Sequence, residues 1–459
     1  MNAIVFSAVW GVLLLFAGVG VSDKRIIRWT AIIGMLGLLL VNWLQLHGVE
    51  MISYPGKGLF RFDAYNLLFT SVMFGSTLIY FLLLSKEIEK VGVQVAEYFA
   101  LIFFICCGVA IVSAYDSLLL LFLGIEIISI PLYILAGSDK RNLKSNEASL
   151  KYLLMGAFST GLMLMGIALL YGAKGDFSLA AMSAGNQKVS ALALAGILLM
   201  LFSLSFKVSA APFHFWTPDV YDGSPSVFTA FMATIVKAAA FIAFFHLFQD
   251  AFGTVQAEWQ LIAAMITAAT LLVGNLTAVF QQSLKRLLAY SSIAQAGFMM
   301  LALVALNGRA KEGLLFYSTA YSLSTIGVFA VMMTLKDFSL EGINGLGKKK
   351  PVLAAVMTLF LFSLAGIPGT AGFLAKFLLI TAVLQTGQLF WLVILAVLTA
   401  AISVFYYFRV VQAMYFKSGD PQLQEISRER IVLLVLLSFL ILLLGLSPQL
   451  LLDQLYILF

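Results

Sequence analysis

Four ionisable side chains stand inside long apolar stretches of this sequence. Lys207, Lys237 and Lys376 are basic, and Glu126 is acidic. A charge at the depth of a membrane costs roughly 2.5–3.5 kcal/mol on insertion scales, so it is seldom kept without a use. Such residues commonly mark the path of an ion or a proton. The pattern therefore indicates a membrane protein that moves charge.

The acidic residue and the first lysine are candidates for an ion pair. Glu126 lies well inside one apolar run, and Lys207 lies near the end of another, shortly before Pro212. Pairing lowers the cost of burying both groups and makes the protonation of each sensitive to the position of the other. A salt bridge with a purely structural role is the alternative reading.

The other two lysines suit the exchange of protons. Lys237 is near the centre of its run, with no acidic neighbour in sequence, and burial disfavours the charged form of an amine. Lys376 follows Pro368, where a broken helix would expose carbonyls and amides that attract water. The alternatives are a Lys237 whose ammonium reaches the membrane surface and a Lys376 that lies nearer the far interface.

Two histidines and three neutral polar residues are further candidates. His214 stands beside the proline that follows Lys207 and could relay a proton or cap a helix by hydrogen bonding. His246, near the end of the next run, could link that run to the outside or be a solvated terminal residue. Ser291, Ser292 and Gln295 could hold a chain of water molecules or pack helices together.

Composition assigns the chain to the polytopic, all-α membrane proteins. Hydrophobic residues make up 62% of its 459 residues and charged residues 11%, whereas soluble domains have about 25% charged residues. The apolar runs are continuous, which excludes a membrane β-barrel. The net charge of +6 comes from residues in short loops and does not indicate a nucleic-acid partner.

The apolar runs predict fourteen membrane-spanning helices. The seventh is expected to be interrupted at Pro212, and the twelfth to be broken at Pro368. The first run has no basic segment before it and no cleavage-like site, so we expect a retained span. The predicted spans are 3–21, 29–47, 62–84, 95–114, 117–137, 149–172, 189–211, 224–248, 258–280, 286–306, 312–335, 352–385, 389–416 and 431–451.

Loop charge predicts the orientation. Of the 28 lysines and arginines, 19 fall in or beside odd-numbered loops, six in even-numbered loops, and three are the intramembrane lysines. Because basic loops stay in the cytoplasm, the odd-numbered loops are predicted to be cytoplasmic and both termini periplasmic.

The two expected broken helices indicate an internal repeat. One occurs within helices four to eight and the other within helices nine to thirteen, and each carries a lysine. Five is an odd number of spans, so the second unit would be inverted relative to the first. The predicted units are helices one to three (1–94), the first repeat (95–250), the inverted second repeat (251–417) and helix fourteen (418–459).

The motifs of cofactor and metal sites are missing from the sequence. It has no phosphate-binding loop, no dinucleotide fingerprint and no cysteine set for an iron–sulfur cluster. Cys106 and Cys107 are adjacent in one apolar run, and the histidines lie at unrelated depths. We therefore predict no cofactor or metal in this chain, and an energy source that is an ion gradient or a partner subunit.

Three stretches resemble the antiporter-like proton-channel subunits. They are 205–237 (SFKVSAAPFHFWTPDVYDGSPSVFTAFMATIVK), 284–297 (LKRLLAYSSIAQAG) and 364–377 (LAGIPGTAGFLAKF). The family includes the L, M and N membrane-arm subunits of respiratory complex I and subunits of sodium/proton antiporters. Three features resemble the N subunits within this family. They are the segment 216–225 (WTPDVYDGSP), the lysine at 376 and the absence of a long lateral helix.

The resemblance implies a fold and residue roles. The fold would have fourteen helices with inverted five-helix repeats. Glu126 and Lys207 match the family's coupled pair, Lys237 its central proton carrier, and Lys376 its exit-side lysine. Gln295 departs from the pattern, since many relatives have histidine there and glutamine does not titrate.

The resemblance also implies partners and a location. The chain would translocate protons within an NADH–quinone oxidoreductase of a bacterial inner membrane, among other complex I subunits and membrane lipid. FMN and iron–sulfur clusters are expected in partner subunits, and the quinone used by the complex is expected not to bind here. The alternatives are a subunit of a sodium/proton antiporter, a scaffold with structural charges, and a photosynthetic variant supplied by ferredoxin.

Overall fold

Helices make up nearly all of the described chain. The computed structural model describes residues 1–52, 58–183 and 189–457, and over these ranges β-structure is limited to isolated bridges. In chain order the helices are α1 (Asn2–Gly20), α2 (Lys24–Leu46), α3 (Ala64–Val91), α4 (Val95–Ala114), α5 (Leu118–Ala136), α6 (Leu143–Lys174), α7 (Leu179–Ser183), α8 (Ala191–Lys207), α9 (Trp216–Gly223), α10 (Ser226–Phe231), α11 (Lys237–Asp250), α12 (Gln256–Val279), α13 (Leu284–Ala305), α14 (Gly308–Met332), α15 (Leu346–Lys349), α16 (Pro351–Ala365), α17 (Ala371–Leu384), α18 (Phe390–Phe416), α19 (Arg428–Leu446) and α20 (Gln449–Ile457).

The prediction of fourteen membrane segments is confirmed. Within the described ranges, 12 helices are long and apolar enough to cross a membrane, with α10 and α11 counted as one through the π-helical turn Met232–Val236. The other two segments are the predicted broken ones, α8 with α9 and α16 with α17. The chain is therefore an all-α, multi-pass membrane protein with two broken membrane segments.

Several helix boundaries differ from the prediction. Helix α3 runs to Val91 and α6 begins at Leu143, so both continue past their apolar cores into polar turns. Their first turns are capped by Asp63, which accepts from the amide of Asn66, and by Asn142, which accepts from that of Lys144. The short helices α7, α9, α15 and α20 were not predicted, because so few turns leave no clear period in the sequence.

The odd-numbered loops meet at one end of the bundle. Arg430, at the start of α19, forms an ion pair of 2.7 Å with Glu87 near the end of α3. Lys349 of α15 forms one of 2.6 Å with Asp420 in the loop before α19. These contacts join the third, eleventh and thirteenth loops. Fourteen membrane segments that cross in alternating directions place all three of these loops on the same side.

The even-numbered loops meet at the opposite end. Arg61, before α3, forms an ion pair with Asp250 at the end of α11. The side-chain amide of Asn307, before α14, donates to the carbonyl of Ala382 near the end of α17, at 2.9 Å. Two basic residues assigned to these loops, Lys57 and Lys188, lie outside the described residues.

The centre of the bundle is built by the helices with the most polar interior residues. Helix α14 is buried over its whole apolar window, and α13 and the α10–α11 segment are nearly so. Helices α1 and α19 are the least buried of these helices, with 28% of their apolar windows buried, and lie at the periphery. A buried polar group on α11, α13 or α14 is thus separated from lipid by a layer of helices.

The seventh segment is interrupted where its backbone turns. Helix α8 ends at Lys207, and Ser209 has a φ of 66°, in the left-handed region that a residue with a side chain rarely adopts. Pro212 has no amide hydrogen to continue a helix. The free amide of Ala211 donates to the Thr270 hydroxyl of α12 at 2.8 Å, so α12 supplies one hydrogen bond to this break.

The twelfth segment breaks as predicted, although its first helix ends at Gly366, two residues before the predicted Pro368. Gly366 has a φ of 84° and ends α16, and the amide of Ile367 donates back to the carbonyl of Phe362 at 3.0 Å. Helix α17 starts five residues later and passes very close to α16. A Cβ on Gly372 would stand 1.7 Å from the carbonyl oxygen of Ser363.

We predict that Gly372→Ala destabilises the protein. Its methyl group would collide with the α16 backbone, and overpacking of this kind costs about 1–3 kcal/mol or more. The measurement is thermal unfolding of the purified full chain in detergent. Gly75→Ala is the matched control, since a Cβ there meets no atom within 4 Å. Equal unfolding temperatures for the two variants would contradict the close approach of α16 and α17.

Candidate functional site

Glu126 and Lys207 lie together between α5, α6 and α8. The Lys207 Nζ is 3.9 Å from Glu126 Oε1. The hydroxyl of Thr160 donates to the same carboxylate oxygen at 2.8 Å, and Lys207 donates to that hydroxyl at 3.4 Å and to Ser129 Oγ at 3.1 Å. The acid and the base are thus in contact both directly and through one hydroxyl group, so a small movement of either would change their coupling.

The two members of this pair face different surroundings. Lys207 is the last residue of α8, where the partial negative charge of a helix carboxyl end favours a cation. Glu126 is partly exposed and lines a groove of about 490 Å³ between α5 and α6, beside Tyr133 and Thr160. The carboxylate is therefore open to the side of the bundle, whereas the lysine points into it.

Lys237 is held by neutral oxygen atoms alone. It is 2% exposed, and its Nζ donates to the carbonyl of Ser292 at 2.9 Å and to the hydroxyl of the same residue at 2.5 Å. Among the described residues it has no carboxylate partner. The π turn just before it is a feature often found at functional sites. A lysine that reaches the membrane surface is excluded by this burial.

Lys376 is also buried and held by neutral groups. Its Nζ donates to the carbonyl of Ala365 at 2.8 Å and to Ser403 Oγ at 3.3 Å, and lies 4.6 Å from the centre of the Phe298 ring. Ala365 is the last residue of α16, so its carbonyl has no partner within that helix. The side chain of Lys376 therefore turns back to the break between α16 and α17.

A hydrogen-bonded path runs from Lys237 towards Lys376. The Ser292 hydroxyl, which accepts from Lys237, also accepts from the hydroxyl of Tyr321 on α14 at 2.9 Å. Tyr321 and Lys376 both line one small cavity. The space open to the centre of a water molecule there is about 10 Å³, which suits about one water. The two lysine networks therefore border the same cavity.

Gln295 fixes the helices around this cavity. Its side-chain amide donates to the carbonyl of Leu364 at 2.9 Å and to the hydroxyl of Tyr407 at 3.1 Å, and its oxygen accepts from Tyr317. These contacts join α13 to α14, α16 and α18. An amide does not titrate, so Gln295 serves as a fixed wall of the cavity.

The histidines are less closely connected with the lysines. His214 is buried, its Nδ1 has no partner among the described residues, and no described hydrogen bond or ion pair joins it to a lysine of the site. His246 is 5% exposed, so the alternative of a solvated terminal residue is wrong. Its Nε2 lies 2.9 Å from an Arg61 nitrogen and 3.3 Å from Asp250 Oδ2, because Arg61 folds over the end of α11.

The break after Lys207 contains unpaired hydroxyl groups. Ser205, Ser209 and Thr217 are buried, and their hydroxyl oxygens have no partner among the described residues. Lys207 and Lys237 share no described hydrogen bond. Buried hydroxyls of this kind commonly bind ordered water, which suits a connection between the two lysines through solvent.

Sequence reasoning missed Lys285, which was counted as a loop cation. It is 8% exposed in the first turn of α13, and its Nζ donates to the carbonyls of Asp222 at 2.8 Å and Ser224 at 2.9 Å. Its neighbour Arg286 forms an ion pair of 3.4 Å with Asp219. The two cations fasten α9 to α13, the helix that carries Ser292. Their position beside polar residues gave no local signal of burial.

Over the described ranges, groups that could hold a metal ion are not found. No three of the His, Cys, Asp and Glu side chains described there converge. Cys106 and Cys107 are buried and unbonded.

Known proteins resemble this chain in sequence and in fold. A family model described as NADH:quinone oxidoreductase/Mrp antiporter, transmembrane, matches residues 115–403. The chain is 38% identical to the NADH-quinone oxidoreductase subunit N of Cytophaga hutchinsonii, over 99% of both chains. It is similar to a chain of respiratory complex I from Thermus thermophilus with bound aureothin, with 32% identity, a TM-score of 0.85 and 98% of both chains covered.

A chain of the Mrp complex from Dietzia sp. shares the fold. Its TM-score is 0.86 at 20% identity, over 99% of this chain and 95% of that one. The match of the family model over more than half of the sequence and the identity along the whole Cytophaga relative confirm the predicted resemblance. The chain belongs to the NADH:quinone oxidoreductase/Mrp antiporter family of transmembrane proteins.

Proposed function

We propose that this chain is a proton-translocating subunit in the membrane arm of an NADH–quinone oxidoreductase. The observation that carries the proposal is the path from Lys237 through Ser292 and Tyr321 to the cavity beside Lys376. Two buried amines joined by groups that both donate and accept can exchange a proton without exposing a charge to lipid. The names of the relatives and their similarity over the full length support NADH–quinone oxidoreduction as the reaction that drives this proton transfer.

The first proposed step is a change in the Glu126–Lys207 pair. Glu126 faces the side of the bundle, so a charge movement in a neighbouring subunit can reach it. When the pair opens, the Lys207 ammonium loses its counter-charge and its field acts more strongly on the bundle interior. A nearby positive charge disfavours protonation of Lys237, which then releases its proton.

The second proposed step is transfer along the hydroxyl groups. Before the transfer, the Tyr321 hydroxyl turns from Ser292 to the cavity, and the Ser292 hydroxyl turns to Tyr321. A proton then leaves the Nζ of Lys237 for the Ser292 oxygen, and Ser292 passes its own proton to Tyr321. Tyr321 passes its proton to a water in the cavity, and the water protonates the free amine of Lys376. The transfer leaves Tyr321 donating to Ser292 again, as in the structure. Lys376 finally releases the proton towards the opposite side of the membrane.

The histidines are proposed as flanking relays. His246 stands at the even-loop end and is near Asp250, which connects α11 with that end of the bundle. His214 stands at the break next to Lys207, where an unpaired Nδ1 could bind water. Neither is required for the exchange between Lys237 and Lys376.

The proposal places the redox chemistry in other subunits. FMN and iron–sulfur clusters would lie in those partners, and the quinone would bind outside this chain. The membrane would be a bacterial inner membrane, with both termini periplasmic. The units 95–250 and 251–417 would act as inverted repeats, each supplying one broken helix and its lysine.

Purification of the tagged full chain in mild detergent tests the assignment. Co-purified flavin, iron–sulfur subunits and inhibitor-sensitive NADH–quinone activity support it. A preparation that contains only hydrophobic subunits, without flavin or iron, contradicts it and favours a sodium/proton antiporter, especially if transport depends on sodium. The 20% identity with the Mrp chain supports a common fold and no more.

We predict that Lys237→Ala lowers proton pumping and leaves the complex assembled. Loss of a positioned acid–base group slows proton transfer by roughly 10²–10⁴-fold. The measurement is the number of protons translocated per electron pair in membrane vesicles. Lys336→Ala, which alters an exposed lysine, is the control and should pump normally. Normal pumping by an assembled Lys237→Ala complex contradicts the mechanism.

We predict that Tyr321→Phe slows pumping roughly tenfold, as expected if losing one hydroxyl raises the barrier by about 1.4 kcal/mol. The ring is kept, so packing should change little, while the link between Ser292 and the cavity is lost. Proton uptake and release by reconstituted complex would report the rate. Tyr415→Phe removes a hydroxyl from a partly exposed ring and should have no effect. Equal rates for the two variants would show that protons take another route.

A further inference from the structure

A groove outside the proton site opens between three helices at the odd-loop end. It has a volume of about 1210 Å³ and lies between α2, α3 and α19. Its lining residues come from the beginning of α2, the last turns of α3 and the beginning of α19. These helices come from the two ends of the sequence, so the groove lies where the last membrane helix meets the second and third.

The mouth of this groove is basic. Six lysines and arginines line the groove and only two glutamates, which leaves four positive charges in excess; the basic residues are Lys24, Arg25, Arg28, Lys86, Lys90 and Arg428. Within the groove, Arg28 is paired with Glu89 at 2.8 Å and Lys86 is 3.5 Å from Glu429. Both glutamates of the groove therefore already have a cationic partner.

The remaining cations have few acidic contacts. Lys90 is paired with Glu87 at 2.9 Å, at the edge of the groove. Lys24 donates to the backbone carbonyls of Glu89 and Gly92, which orients its ammonium without neutralising it. Arg25 and Arg428 have exposed side chains and no ion pair among the described residues. Their guanidinium groups can form paired hydrogen bonds with a phosphate.

Apolar stripes lead from this mouth towards the middle of the membrane. On α2 the exposed residues Trp29, Ile33, Leu36 and Leu40 follow helical spacing along one face. On α19 the exposed residues Val432, Leu436, Phe439 and Leu443 do the same. Leu82 of α3 also lines the groove. Trp29 stands next to the basic cluster, at the level where tryptophan is enriched in membrane proteins.

We propose that this groove binds an anionic phospholipid. The phosphodiester group would sit among Arg25, Arg428 and Lys24, and the acyl chains would lie along the stripes of α2 and α19. Charge complementarity favours the anionic headgroup, since basic pockets between membrane helices recognise such lipids. The length of the stripes favours a lipid over free phosphate, which would leave them unused. This inference is independent of the proposed proton path.

The bound lipid would connect the second and last membrane helices, α2 and α19. Only 28% of the apolar window of α19 is buried, and its first turn is held to α3 by Arg430 and Glu87. A lipid that spans the gap from α19 to α2 would add contacts where protein contacts are sparse. We therefore expect delipidation to loosen α19 first.

Native mass spectrometry of the purified complex tests this site. The probe is phosphatidylglycerol titrated into delipidated protein, with phosphatidylcholine as the uncharged comparison. The variant is Arg25→Gln with Arg428→Gln, and the control is Lys140→Gln with Arg141→Gln, which removes two exposed cations at the same end outside the groove. Each cation near a membrane surface contributes about fivefold in affinity, so the variant should bind phosphatidylglycerol roughly 30-fold more weakly.

The outcomes separate the possible occupants. Selective binding of phosphatidylglycerol that is lost in the variant and kept in the control supports the proposal. Equal binding by variant and wild type, or equal binding of phosphatidylcholine, overturns it. Displacement of the lipid by an equal concentration of inorganic phosphate would show a phosphate site instead. A protein chain filling the groove in the assembled complex would overturn it as well.

Discussion

The cost of burying charge is the constraint on which this structure depends. Three lysines and a glutamate lie among apolar helices, where an unpaired charge has no water to solvate it. At the helix breaks, carbonyl oxygen atoms have no partner within their own helix and can accept hydrogen bonds from a lysine. Lys207 stands at the carboxyl end of α8, and Lys376 turns back to the free carbonyl at the end of α16. The broken helices thus create polar sites within a fold that otherwise satisfies its own backbone.

The four charges fall into two kinds of environment. Glu126 and Lys207 neutralise each other, so their state depends on the distance between two side chains. Lys237 and Lys376 are held by carbonyls and hydroxyls, which stabilise an ammonium without fixing its proton. Under the proposed mechanism, the pair would respond to charge movement outside the bundle, and the two amines would exchange the proton. Hydrogen bonds of Gln295 join the helices around the second network.

Local sequence patterns were sufficient to predict the membrane spans and the helix breaks, because both depend on residues that are close in sequence. Apolar length predicted the spans, and glycine and proline predicted the breaks near 212 and 368. Buried charges stood out because their types conflict with their surroundings. Links between distant segments were not predictable in this way. Ser292 was one of several polar residues in its helix, and only packing shows that it lies between Lys237 and Tyr321. Lys285 was taken as a loop cation because its burial depends on α9.

Electron cryo-microscopy of the assembled complex, at a resolution that shows water, tests the central claim most directly. The claim is that protons pass between Lys237 and Lys376 by way of Ser292 and Tyr321. It predicts a water molecule within hydrogen-bonding distance of both the Tyr321 hydroxyl and the Lys376 ammonium. A side chain that fills the cavity, or a dry gap between Tyr321 and Lys376 in every state of the turnover cycle, would contradict it.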